Sequence, residues 1–322
     1  LYVKCGQPNL GWPHLKESEA CSMFSRLSLK TRNALIGLLL VSPAVLLFAV
    51  FVYRPLIHTG ILSFYDWNMV SPTKTFIGWE NYVEMLESST LFKALANTGS
   101  YATWLIGLII LLPILATAGM TYIGKRTRKV YRVTLFSPTV VSLGIASVMW
   151  LWVFNPIGGL LGTIFTKVGL EPLNWLSAPQ TALIAIIIIV GWKAFGYNLL
   201  LIVAGLGGIS TEIIDACKVD GAEGVKLWIY VVLPLLSPTI FFIFISTLSM
   251  STEYVFTPVH VLTGGGPVNA TTNIVFEIWR QAFRWFRVGY SSAIAISVFV
   301  VFLILMIIQM LLSEKVVSYD ER

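Results

Sequence analysis

Glu212-Ile-Ile-Asp215-Ala-Cys-Lys218-Val-Asp220-Gly221-Ala222-Glu223, running on to Leu233-Pro234, is a polar island between two apolar stretches. A connecting loop needs only to be soluble, yet this one is patterned like a helix. Acids stand at 212, 215, 220 and 223 and bases at 218 and 226, with apolar Ile213, Ala216, Cys217 and Val219 between them. Ser210 and Thr211 are placed to cap its start. Glu212 and Asp215 then fall in the first turn, where the helix dipole favours negative charge. Gly221 ends or turns the helix, and Pro234 suits the start of the next one. The stretch predicts a short helix held at a membrane surface between two spans, with the character of a docking element.

The rest of the chain puts that island in a membrane protein. Of 322 residues, 56% are hydrophobic and only 12% charged, against about 25% charged in a soluble domain. The net charge of +6 is not a nucleic-acid signature, because the bases lie beside apolar runs, as topology requires. Cys5, Cys21 and Cys217 are an odd set without metal-type spacing, so neither a disulfide framework nor a metal site is expected. The first 30 residues show no short apolar core followed by a small-residue cleavage site, so no cleaved signal peptide is expected.

A helix crosses a bilayer with about 20 apolar residues. Runs that meet this predict six spans near 34–53, 95–122, 133–154, 181–204, 231–252 and 290–312, and an all-α polytopic fold. Six spans place both termini on one side. Basic residues choose the side: Lys4, Lys16, Arg26, Lys30 and Arg32 precede span one, and Lys125-Arg126-Thr-Arg128-Lys129 with Arg132 fills the short turn after span two. Both termini and the island are expected in the cytoplasm of a bacterial cell, with the chain in the inner membrane. The division is then an N-terminal cytoplasmic segment 1–30, a first span with its exterior loop 31–93, the transmembrane body 94–312 and a cytoplasmic tail 313–322. In the 55–93 loop, Gly78–Leu86 suggests an interfacial helix. Its aromatic residues serve either as a headgroup-level belt, with membrane lipid as partner, or as a partner contact.

Catalytic patterns fail on inspection. Gly119-Met-Thr-Tyr-Ile-Gly124-Lys125-Arg126 nearly matches a phosphate-binding loop, but Arg126 lacks the hydroxyl that magnesium needs. His14, His58 and His260 are scattered, and Asn269-Ala-Thr271 is a sequon too short to carry weight. No enzymatic activity is expected of this chain.

From Asp215 the island runs acidic–Ala–small, three residues, Gly221, nine residues, Val231-x-Leu233-Pro234. This resembles the EAA loop of permease subunits of binding-protein-dependent ABC importers. It departs at Asp215 for Glu, Cys217 for Ala and Val231 for Ile. Val261-Leu-Thr-Gly-Gly-Gly-Pro267, Asn269-Ala-Thr-Thr272, Ile278-Trp-Arg280, Trp192-Lys-Ala-Phe-Gly-Tyr197-Asn198 and Ala204-Gly-Leu206 are similar to the sugar-type subfamily, which includes maltose and glycerol-phosphate permeases. The resemblance spans about 30–315.

The resemblance implies a set of roles. Glu212, Asp215, Ala216, Lys218 and Gly221 would form a coupling helix seated on a cytoplasmic ATPase dimer, the bland alternative being a solvated surface helix. Thr139, Lys193, Tyr197, Glu253 and Tyr254 would surround the solute path. Lys193 either meets solute, snorkels to the interface or pairs with Glu253. Gly264, Gly265, Gly266 and Pro267 would form an exterior gate, or simply a turn. Implied partners are a second homologous permease subunit, the ATPase and an extracytoplasmic solute-binding protein. ATP and Mg would be bound by the ATPase, with no cofactor in this chain. The implied solute is a carbohydrate, possibly an acidic one such as alginate fragments. The alternative is glycerol phosphate or another small anion. An ion-coupled transporter or a membrane-embedded enzyme would need acids in broken spans or convergent side chains that are not evident.

Overall fold

In the computed structural model, which describes residues 29–316, the long uncharged runs are helices. The segments 1–30 and 313–322 lie outside the described range except for their inner ends, which are helical. The chain divides into two units at His58–Thr59. The first, where described, is one helix. The second holds the rest of the elements below, with the last turn of that helix.

Four helices are long and apolar enough to cross a membrane: α1 (Ile36–Leu62), α3 (Ser89–Thr121), α7 (Pro179–Gly207) and α12, whose apolar part is Val288–Leu311. Two bent pairs are also apolar and long enough together, which makes six spans if each pair counts as one. Helix α4 (Lys125–Val140) meets α5 (Leu143–Val153) at 101°, and α9 (Val225–Leu235) meets the following helix at 68°. That helix, α10, runs Ser237–Pro258. Outside the spans lie α2 (Glu80–Glu87), α6 (Leu160–Val168), α8 (Thr211–Val219) and α11 (Ile274–Trp279). A two-residue antiparallel pairing, Tyr65↔Phe76 and Asp66↔Thr75, is a small departure from the all-α expectation.

Several expectations change. Span three is not one rod over 133–154. Pro138 lies in the last turn of α4, Val141 is extended, and Ser142 starts a new helix by accepting the Ile145 N–H at 3.4 Å. Span five starts at Val225, nine residues before Pro234, and breaks at Leu236. Helix α10 then continues to Pro258, so Glu253 and Tyr254 lie inside it rather than at its end. A helix does form at the expected place, as α2. It is held by protein contacts: buried Asn81 donates to the Ser63 and Tyr65 carbonyls at 2.9 and 3.1 Å, and Glu84 pairs with Arg287 at 2.5 Å. That hydrogen bond raises the pKa of the Arg287 guanidinium above its ordinary value, against the opposing effect of burial.

Helix α7 is the axis of the second unit. Its Ile186, Ile187, Val190 and Ala194 pack with Tyr101, Leu105 and Ile109 of α3, Val255 of α10 and Phe276 of α11. Nearer its other end, Ile202 packs with Trp228, Val232, Leu236 and Ile243. Lipid offers no hydrophobic drive between helices, so close approach depends on small residues. A Cβ on Gly196 would lie 2.5 Å from the Leu135 carbonyl oxygen and 2.7 Å from the Phe136 Cα of α4. One on Gly205 would lie 2.6 Å from Thr239 Oγ1 of α10. The 196 contact is mostly backbone and cannot yield by a rotamer change.

Gly196→Ala is therefore expected to destabilise the protein by about 1–3 kcal/mol through overpacking, seen as earlier thermal unfolding in detergent. Gly207→Ala, where nothing lies within 4 Å, is the control and should match or exceed the wild type.

Candidate functional site

Two clusters at opposite ends of α7 hold most of the predicted site residues. At the Gly207 end stands α8, with the expected bounds and polarity. Ser210 caps it by accepting the Ile213 N–H at 3.4 Å, Glu212 sits in its first turn, and Lys218 lies in its last. Lys218 reaches back to Asp215 at 2.9 Å, and both side chains are exposed, 48% and 70%. Gly221 is not a contact residue inside the helix. It has φ +83°, its N–H donates to the Lys218 carbonyl at 3.0 Å, and the Ala222 N–H donates to the Cys217 carbonyl at 2.9 Å. This pair of bonds is a Schellman closure, which requires a left-handed residue and so favours glycine.

The chain then reverses at Gly224, whose φ +57° and ψ −124° with the Lys226 N–H to Glu223 carbonyl bond make a type II′ turn. Glycine is the residue that this first central position accepts. A cleft of about 420 Å³ lies behind α8, lined by Tyr122, Leu206, Ile214, Glu223, Leu227 and Trp228. The helix is therefore set off from the bundle by two glycine turns, with its charged side chains open.

In the middle of α7, Thr139 and Lys193 form a reciprocal clasp. Lys193 Nζ donates to the Thr139 carbonyl at 2.7 Å, and Thr139 Oγ1 donates to the Lys193 carbonyl at 3.2 Å. Tyr197, one turn on, is 38% exposed. Glu253 is exposed, while Tyr254 packs against the core around Val255 and Phe276. Among the described residues the ion pairs are Lys218–Asp215, Arg280–Glu277 and Arg287–Glu84, so Lys193 does not pair with Glu253. The structure brings Thr139 and Lys193 into contact, with Tyr197 one turn further along the same helix. Tyr254 instead belongs largely to the packed interior.

At the Pro179 end, the glycine loop does need unusual angles, at Gly264 (φ +56°) and Gly265 (φ +84°) but not at Gly266. A Cβ on Gly265 would meet Thr272 Oγ1 at 2.5 Å. The loop is densely tied. Thr271 Oγ1 donates to the Gly266 carbonyl at 2.7 Å, Thr272 Oγ1 to Gly265 at 3.0 Å, Asn97 Nδ2 to Asn269 and Thr272 at 3.0 and 2.9 Å, and the Tyr101 hydroxyl to Thr271 at 3.0 Å.

Behind the loop is a buried charge cluster that the sequence reading did not use. Glu277 is 1% exposed. It is bonded by Arg280 and, at 2.8 Å, by Gln281 Nε2, and Arg280 Nη1 donates to Asn269 Oδ1 at 2.8 Å. The available signal was the i, i+3, i+4 spacing of Glu277, Arg280 and Gln281 beside Asn269. Asn198, buried with its Oδ1 unpartnered, was also missed as a polar group within a span.

The arrangement, a polytopic helical chain with a capped polar helix outside its long apolar helices, is that of a membrane transport component. Residues 109–318 match the model for the binding-protein-dependent transport system inner membrane component, and the chain belongs to that family. It is 31% identical over 286 residues to the probable ABC transporter permease protein YurN of Bacillus subtilis, covering 87% of this chain and 96% of that one. It is 30% identical over 291 residues to the sn-glycerol-3-phosphate transport system permease protein UgpA of Agrobacterium fabrum, covering 89% and 97%. With the arabinooligosaccharides transport system permease protein AraP of Bacillus subtilis it shares 28% over 278 residues, covering 85% and 87%. A chain of a bacterial alginate ABC transporter, solved in complex with an alginate pentasaccharide-bound periplasmic protein, has the same fold. The TM-score is 0.77 at 21% identity, covering 89% of this chain and 96% of that one.

The buried cluster yields a stability prediction. Glu277→Gln leaves the Arg280 charge without its counter-ion and should cost about 3–5 kcal/mol, read as a drop in the thermal midpoint of the purified chain. Replacing both, as Glu277→Gln with Arg280→Met, should recover part of that loss.

Proposed function

We propose that this chain is the membrane path and the mechanical input of a type-I importer. The observation that carries the reading is α8: a capped, glycine-closed helix outside the spans with its charges exposed. In this reading α8 seats on a cytoplasmic ATPase dimer through Glu212, Asp215, Ala216 and Lys218, with Gly221 fixing the helix end. Both termini are cytoplasmic, as the basic turn at 125–132 favours. The Gly264–Pro267 end then faces an extracytoplasmic solute-binding protein, and a second homologous permease completes the path. ATP and Mg are bound by the ATPase. Its closure would drive α8, and α9 and α7 would carry the movement through the Gly205 crossing.

The solute we assign is a carbohydrate, supported by likeness to AraP and, at the level of fold, to alginate transporters. The alternative is a small anion such as a glycerol phosphate. Likeness to UgpA and the cation at Lys193 favour it.

Copurification from native membranes tests the coupling role. Asp215 and Lys218 are exposed, and such a pair contributes at most about 1 kcal/mol to stability. Asp215→Ala should therefore leave thermal unfolding unchanged while ATPase capture falls several-fold. Gly221→Ala meets no neighbour but strains the left-handed turn by about 1–2 kcal/mol, and should weaken capture as well. Wild-type capture by both variants would remove the coupling assignment.

A further inference from the structure

A cleft at the Pro179 end borders the glycine loop, and its 155–178 wall has no part in the reading above. It has a volume of about 720 Å³ and lies between the 155–178 segment and the glycine loop, lined by Asn155, Asn174, Trp175, Ser177, Gly266 and Pro267 among others. That volume falls in the range of small-ligand sites, about 300–1,000 Å³. A protein docking surface is instead a broad face of about 800 Å² per partner.

Three features define its chemistry. First, it has a fixed aromatic wall. Trp175 packs on Phe154 with ring centroids 5.4 Å apart, and Phe154, 2% exposed, packs in turn on Trp150 at 5.0 Å. The Trp175 ring is thereby held in place and stays half-buried. Second, its polar lining consists of amides and hydroxyls. Asn155 uses Oδ1 on the Ile157 N–H at 2.9 Å, while no hydrogen bond among the described residues uses the side chains of Asn174 or Ser177. Third, no lining residue is charged. The opposite wall is the glycine loop, already immobilised by Thr271, Thr272 and Asn97.

A flat ring beside neutral donors and acceptors suits a sugar ring, whose C–H face is apolar and whose edge carries hydroxyls. A carboxylate or phosphate would find no counter-charge here, and an unpaired anion is poorly accommodated. We propose that this cleft is a subsite for one or two neutral sugar rings of an oligosaccharide, with Trp175 as the platform and Asn155 and Asn174 as hydroxyl partners. This rests on the carbohydrate reading and narrows it: the ring bound here is uncharged, and the site lies at the other end of α7 from α8.

The test uses the assembled transporter in nanodiscs, without the binding protein, titrated with maltotriose, xylotriose, arabinotriose and alginate trisaccharide. Binding is followed by saturation-transfer NMR. At least one neutral trisaccharide should bind, and more tightly than the alginate trisaccharide. Trp175→Ala should raise its Kd about three- to tenfold, the range expected for loss of one stacking contact, and Trp175→Phe should restore most of it. Docking of the solute-binding protein, measured separately, should not change in Trp175→Ala. Failure of every neutral trisaccharide to bind, tighter binding of the alginate trisaccharide, or an unchanged Kd in Trp175→Ala would overturn the subsite. A matching loss of binding-protein docking would do the same, by making the cleft a protein socket. Transport of the same sugars by the wild-type complex with its binding protein tests the carbohydrate reading independently. Transport without cleft binding removes only the subsite, and no sugar transport removes both.

Discussion

The clasp between Thr139 and Lys193 is the constraint on which the second unit depends. A helix that stops inside a bilayer leaves backbone carbonyls with no water to satisfy them. Helix α4 stops at Val140. One of its last carbonyls is taken by the Lys193 ammonium at 2.7 Å, and the Thr139 hydroxyl returns a bond to the α7 backbone at 3.2 Å. A cation at a helix C-terminus also opposes the negative end of its dipole. Gly196, one turn along α7, is what lets the α4 backbone come close enough for both bonds. With the break held there, α5 leaves at 101° and delivers Trp150 and Phe154 to the far end of α7. The Lys193 ammonium is thus a structural tie between α7 and α4. An ammonium has three donors, so holding the wall leaves others for the interior.

Helix α7 explains how the two ends can communicate. Its 29 residues span about 43 Å at 1.5 Å per residue. One end is followed by α8 and crosses α10 at Gly205; the other is flanked by the 155–178 segment and the rigid glycine loop. Between them the contacts are close and mostly apolar, with small residues where helices cross. A long, tightly packed helix resists local deformation, so in the proposed coupling a displacement at α8 would reach the far end as translation or tilt.

The sequence made the spans legible because charges punctuate them: Lys93, Lys125, Arg132, Lys226 and Arg287 bound the apolar runs. It made α8 legible because Ser210, Glu212, Lys218 and Gly221 each carry a local signal of a helix start, charge order or stop. The breaks were not legible for the same reason. Val141 and Ser142 carry no glycine, and Pro138 sits where a proline would also suit a plain kink. Pro234, the expected helix start, lies within α9, whose real start is set by the Gly224 turn. Nor could the sequence show that Lys193 engages Thr139 rather than Glu253, because that contact joins residues 54 apart through a backbone carbonyl. The polar core at Glu277, Arg280 and Gln281 was visible as residues but not as a cluster. Its closing contact, Asn269, lies across a turn that depends on Gly264 and Gly265.

The two walls of the cleft at the Pro179 end are held by different kinds of contact. The glycine loop is bonded to α3 through Asn97 and Tyr101, and buried Asn273 donates to the Thr252 carbonyl of α10 at 2.9 Å. Opening the loop alone would break several buried hydrogen bonds at once, each costly in a low-dielectric setting. The facing wall, from α5 to the 155–178 segment, is held to α7 by apolar packing of Phe154, Ala185 and Ile189 and by the Thr181 hydroxyl, which donates to the Asn174 and Trp175 carbonyls at 3.2 and 2.9 Å. Both walls are thus tied to the body of the unit, the loop by several side-chain bonds and the facing wall by one hydroxyl and apolar contact. The chain turns by 101° at Val141–Ser142, and the Thr139–Lys193 clasp fixes the end of α4 to α7 at that break.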